Sequence, residues 1–134
     1  MKNADYSFPR SERLRKLKHI QQLFSEGKSV QSYPLKMIFL PVEDNLESQF
    51  QVLVSVPKRG FKRAVHRNRI KRLIRESYRL QKHFLSEITS EKYVFAIIFV
   101  GKEMPEYDLI FSKIMRCFQK FGEEIKAQCK EKVR

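Results

Sequence analysis

Lys62 to Arg79 reads KRAVHRNRIKRLIRESYR, and the spacing of its side chains decides how the rest of the chain is read. With successive residues about 100° apart around a helix, Ile70, Leu73, Ile74, Gln81 and Phe84 fall on one stripe, with Ser77 among them. Asn68, Lys71, Arg72, Arg75 and Arg79 fall opposite. The pattern predicts a helix over roughly Ala64 to Leu85, with its aliphatic stripe against a core. Six Lys and Arg between Arg67 and Arg79 face one acid, Glu76, so pairing within the helix cannot neutralise them. Such a face is meant for a polyanion outside the chain.

At 134 residues the chain is long enough to bury a core and short for two units, so one domain over residues 1–134 is expected. Twenty-eight Lys and Arg against 15 Asp and Glu leave a net charge of +13, which opposes self-association and favours nucleic acid as partner. The opening residues, MKNADYSFPRSERLRK, hold no apolar signal segment, and the longest apolar run, Tyr93 to Val100, is too short to span a bilayer. A soluble, cytoplasmic protein with no membrane partner is therefore expected. Cys117 and Cys129 lie twelve positions apart without CxxC spacing, and His19, His66 and His83 are dispersed, so neither a disulfide framework nor a metal site is expected. No paired carboxylates and no Ser-His-Asp set stand out, and no catalytic residue is assigned.

Outward from the basic helix, Leu17, Ile20, Leu23 and Phe24 recur at helical spacing and stop at Gly27, a C-cap residue. Leu17 and Leu23 are expected to pack, and residues 1–16 read as a basic extended arm. Tyr33 to Pro41 and Phe50 to Val56 alternate as strands. Between them Glu43-Asp44-Asn45-Leu46-Glu47 reads as an acidic hairpin loop that should point away from a polyanion. Pro57 closes the second strand, and Lys58 to Arg63 form a basic loop whose turn Gly60 permits. Tyr93 to Val100 has the composition of a central strand covered on both faces. Pro105 opens the last helix at its first turn, with Ile110, Ile114, Cys117, Phe118, Phe121 and Ile125 as its apolar stripe, and residues 127–134 read as a disordered tail. The order α-β-β-α-β-α predicts an α+β fold, a small α/β sandwich with helices packed on a three-stranded sheet.

Arg67-Asn68-Arg69-Ile70-Lys71-Arg72, set within Ala64 to Glu76, closely resembles the signature helix of the bacterial ribonuclease P protein subunit. The resemblance extends to Phe8-Pro9-Arg10-Ser11-Glu12-Arg13-Leu14, to Phe24-Ser25-Glu26-Gly27-Lys28-Ser29 and to the element order, and so covers Phe8 to about Lys126. It implies a ribosomal protein S5 domain 2-like fold with a left-handed β-α-β crossover. It further implies a subunit without catalytic residues that joins a large catalytic RNA and helps it remove the 5′ leader of precursor tRNA. The implied partners are that RNA and precursor tRNA with its leader, bound by one copy of a monomeric protein. Mg2+ is then required by the RNA-containing holoenzyme, and the protein itself needs no cofactor.

Carried over residue by residue, the resemblance places Lys16, Ile20, Phe24, Arg67, Asn68, Lys71 and Arg75 at a cleft for the single-stranded leader. It places Lys58, Arg59, Lys62, Arg63, Arg69, Arg72 and Arg79 against the catalytic RNA. Helical projection separates Arg67, Asn68, Lys71 and Arg75 on one flank from Arg69, Arg72 and Arg79 on the other. Phe24 matches an aromatic of the family's cleft, whereas Ile20 and Ile38 stand where relatives carry rings. Stacking on the leader then falls to Phe24, or Tyr33 and Phe39 compensate. The stretch Lys58-Arg59-Gly60-Phe61-Lys62-Arg63-Ala64-Val65 has one residue more than the family's usual loop, with Gly60 displaced and two cations added. His66 is expected near RNA, and Tyr78 either packs or contacts it. Three other classes share parts of this pattern: a structural RNA binder of ribosomal-protein type, an amphipathic helix lying on membranes, and an independent nuclease.

Overall fold

The computed structural model describes residues 8–43, 46 and 48–132, with side chains through Gln128. Its elements are α1 (Leu17–Glu26), β1 (Lys28–Ser32), β2 (Leu35–Pro41), β3 (Phe50–Ser55), α2 (Ala64–Gln81), α3 (His83–Ile88), β4 (Tyr93–Phe99) and α4 (Tyr107–Lys132). The strands form one mixed sheet in the order β1-β2-β4-β3. β1 and β4 each run antiparallel to β2, and β3 runs parallel to β4. The fold is α+β, as the element pattern predicts.

β4 is central because it is apolar on both sides. Residues 93–97 are all buried, and alternation sends successive side chains to opposite faces. Tyr93, Phe95, Ile97 and Phe99 join Ile70, Ile74 and Tyr78 of α2 and Ile110, Ile114, Phe118 and Phe121 of α4 in the larger core layer. Val94 and Ala96 join Leu23 of α1 and Leu14 in the smaller one. The two helical layers therefore lie on opposite faces of the sheet, α1 on one and α2 with α4 on the other.

Several expectations are corrected. The sheet has four strands, because Lys28–Ser32 also pairs with β2; its sequence KSVQS has one aliphatic residue and alternates too weakly to read as a strand. The 42–49 connection is not a hairpin loop, since β4 lies between β2 and β3. Val42 N–H donates to Lys92 O at 2.9 Å and Tyr93 N–H to Gln49 O at 3.1 Å, which pins the connection to the start of β4. Asp44, Asn45 and Glu47 lie outside the described residues, and with them the direction of the acidic loop. The long helix ends at Gln81; Lys82 keeps helical angles (φ −61°, ψ −25°), but Leu85 N–H reaches back three residues to Lys82 O in the tighter 3-10 pattern. Pro105 precedes α4 by two positions instead of lying in its first turn.

At the chain ends, α4 continues to Lys132 where a tail was expected, because Glu, Lys, Gln and Ala favour helix even without an apolar stripe. Residues 133 and 134 lie outside the description. The described part of the arm is not simply extended: Arg10–Glu12 makes a 3-10 turn. Beyond it Arg13 bridges to Val52 in the parallel sense, and Leu14 N–H donates to Val52 O at 3.0 Å. Leu17 is exposed, although Leu23 is fully buried as expected. Gly27 does cap α1, with φ −68°; its role is space, since a Cβ there would lie 2.4 Å from Leu23 O and 2.7 Å from Ile38 Cγ2. Gly60 likewise has no positive φ, so its turn needs no left-handed backbone.

Candidate nucleic-acid interface

α2 owes its placement to Ile70, Ile74, Ser77, Tyr78 and Gln81, all buried, which leave the opposite side of the helix outward. On that side Asn68, Arg72, Arg75 and Arg79 fall within about 60° of one another at 100° per residue. They line one groove of about 520 Å3, together with Glu76 of the same helix and with Phe8 and Arg13 of the arm. The sequence projection put Asn68 and Arg75 on a different flank from Arg72 and Arg79; its dividing line ran through the middle of this strip.

Four guanidinium groups in the groove face one carboxylate. Arg79 donates from Nε to Glu76 Oε2 at 3.0 Å and from Nη2 to Glu76 Oε1. These hydrogen bonds hold the Glu76 carboxyl below its ordinary range, so Glu76 stays ionised and engages Arg79. Arg72 and Arg75 are exposed. Arg13 donates to Phe8 O at 3.4 Å and lies 5.3 Å from the centre of the Phe8 ring, within cation–π range. Phe8 in turn meets Tyr78 edge-on at 5.5 Å, and Tyr78 meets Phe118 at 6.1 Å. Tyr78 is therefore a packing residue beneath the groove, and burial together with the Glu12 carboxylate pushes its phenol well above the ordinary value.

The basic loop ahead of α2 is held at two points. Arg67 donates from Nη1 to Phe61 O and to Lys62 O, each at 2.8 Å, and the Phe61 ring packs against Phe99 at 5.8 Å. Arg67 thus braces the loop. Lys58, Arg59, Lys62 and Arg63 are exposed along it, as are His66 and Arg69 at the start of α2, while Lys71 is half-buried.

Lys16, Ile20 and Phe24 are not brought into this groove. They belong to the α1 layer on the other face of the sheet, where Ile20 and Ile38 pack in one cluster. Phe24 is 49% exposed there and Lys16 is exposed. Of the rings expected to compensate, Tyr33 is exposed but Phe39 is 2% exposed and meets Phe121 edge-on at 4.8 Å. Phe39 is a core residue and offers no face for stacking.

Phe8 and Arg13 are the groove residues that sequence reasoning missed. Both stand in the arm, and no periodicity connects the arm to α2. Among the described residues no group of three or more His, Cys, Asp or Glu side chains could hold a metal ion. No helix among them is long and apolar enough to cross a membrane.

Comparison with known proteins bears on family and fold. The sequence model of the Ribonuclease P family matches residues 8–122. A ribonuclease P protein component of Porphyromonas gingivalis is 38% identical over 120 residues, covering 87% of this chain and 85% of the relative. One of Chlorobium phaeobacteroides is 33% identical over 123 residues, covering 82% and 84%. Among solved structures, the ribonuclease P protein of Staphylococcus aureus superimposes with a TM-score of 0.67 at 21% identity, covering 81% of this chain and 93% of that one. The protein from Thermotoga maritima gives 0.64 at 22%, covering 81% and 96%. With a family match over most of its length and relatives above 30% identity across four-fifths of it, the chain belongs to the ribonuclease P protein family.

Proposed function

We propose that this chain is the protein subunit of a ribonuclease P, binding the catalytic RNA and the 5′ leader of precursor tRNA while the RNA cuts the leader away. The observation that carries this reading is the arginine-lined groove on α2, in a chain of this family. Arginine forks fit phosphate oxygens in pairs, and each phosphate neutralised releases condensed counterions. Asn68 adds a donor and an acceptor for a base edge or a phosphate.

The two faces of the sheet suit two RNA partners. Single strands are held by stacking, and the exposed ring of Phe24 lies on the α1 side; in this reading the leader rests there, with Lys16 on its backbone and Ile20 beneath it. Asn68, Arg72, Arg75 and Arg79, together with Lys58, Arg59, Lys62, Arg63 and Arg69, then hold the catalytic RNA. This moves Asn68 and Arg75 from the leader to the catalytic RNA, since they share one groove with Arg72 and Arg79. Lys71 stands beside them, and Arg67 acts through the loop it braces. In this reading magnesium belongs to the RNA, and the protein's part is to neutralise phosphate and fix the substrate's position. Such a subunit works in the cytoplasm, as a monomer with one copy per RNA.

The test is the salt dependence of binding to the cognate catalytic RNA. A surface contacting at least four phosphates should give log Kd rising with log salt at a slope of roughly 3 or more. A slope near zero would contradict it.

A further inference from the structure

The arm that supplies Phe8 and Arg13 is fastened to the helix that supplies the rest of the groove. Lys82, the residue that follows α2, is 8% exposed and donates from Nζ to both carboxylate oxygens of Glu12, each at 2.9 Å. Around this pair, Gln51 Nε2 donates to Ser11 O at 2.9 Å and Ser48 Oγ to Ser11 Oγ at 3.2 Å. Glu12 N–H donates to Pro9 O at 3.0 Å and Arg13 N–H to Arg10 O at 3.1 Å, closing the turn. Glu12 points to Lys82, while its neighbour Arg13 lines the groove.

A largely buried ion pair is seldom the most stable filling of such a site, because apolar residues of similar volume often serve better. Its value lies in geometry: a carboxylate and an ammonium in one register fix the arm relative to α2. We infer that Lys82 and Glu12 are positioning residues for the RNA groove, seating the arm so that Arg13 and Phe8 stand beside Arg72, Arg75 and Arg79 as one phosphate-binding surface. This rests on the reading of that groove as an RNA site, and it adds Arg13 to the side chains that touch phosphate.

The sign of one substitution separates positioning from bulk charge. Glu12→Gln raises the net charge by one, which by long-range attraction alone should tighten binding to RNA. Positioning requires the reverse. Affinity of the full-length protein for the cognate catalytic RNA should fall by roughly 3- to 10-fold and the salt slope by about one. Arg13→Ala should produce the same loss, and the Glu12→Gln/Arg13→Ala double variant little more, because both remove one contact. The exchange Glu12→Lys with Lys82→Glu leaves the total charge unchanged and should recover part of the affinity. Equal or tighter binding by Glu12→Gln overturns the inference. Unchanged binding by Arg13→Ala overturns it as well, whatever Glu12→Gln does to the fold. Arg72→Ala in parallel separates the two levels: if it binds as the wild type does, the groove itself is misread; if it is weakened while Arg13→Ala is not, only the positioning account fails.

Discussion

Ile74→Asp is expected to leave no cooperatively folded protein. Ile74 is fully buried on the inner stripe of α2, in the same core layer as Ile70, Tyr78, Phe95 and Phe118. Removing most of a large aliphatic side chain from such a site costs roughly 2–5 kcal/mol. A buried carboxylate without a partner adds roughly 3–5 kcal/mol. The sum rivals the whole stability of a typical domain, about 5–15 kcal/mol, and a net charge of +13 works against compaction from the start. A circular dichroism melt should show no transition, whereas Ile74→Val should lose only about 1 kcal/mol. A melting temperature for Ile74→Asp within a few degrees of the wild type would mean that this face of α2 does not meet the core.

The second large effect is on binding and leaves the fold alone. Arg72 and Arg75 are both exposed in the groove, so the double substitution Arg72→Ala/Arg75→Ala should move the melting temperature by no more than a degree or two. Charge-assisted hydrogen bonds contribute about 1.5–3 kcal/mol each, and two lost together should weaken binding to the cognate RNA by roughly 100-fold or more. The salt slope should fall by about two, one for each phosphate no longer neutralised. A matched pair, Lys113→Ala/Arg116→Ala on α4, removes the same charge away from the groove and should cost far less. Equal losses in the two pairs would show that net charge, not the groove, sets the affinity.

What the sequence made legible was local. The period of α2 and the unbroken apolar run of β4 each state their own burial, one helix face for the first and both strand faces for the second. Strand order was hidden, because successive strands usually pair and nothing in residues 42–49 announces that β4 enters between β2 and β3. β1 was hidden because an edge strand with one buried side needs only Val30 and Ser32 inward. In the site, α2's half of the groove could be read from spacing, but the arm's half could not. Phe8, Glu12 and Arg13 reach α2 and Lys82 through contacts between residues distant in sequence, which leave no local pattern. Arg67 shows the same limit in reverse: it carries the same charge as Arg72, yet its guanidinium is engaged by the carbonyls of Phe61 and Lys62, and only geometry distinguishes the two.

The most direct measurement is release of the 5′ leader from precursor tRNA by the cognate catalytic RNA, with and without this protein, at a magnesium concentration where the RNA alone is nearly inactive. Restored cleavage at the mature 5′ end, with none by the protein alone, is the result expected of the subunit described here. No restoration by protein that is folded and still binds RNA would contradict it and leave a structural RNA-binding protein in its place.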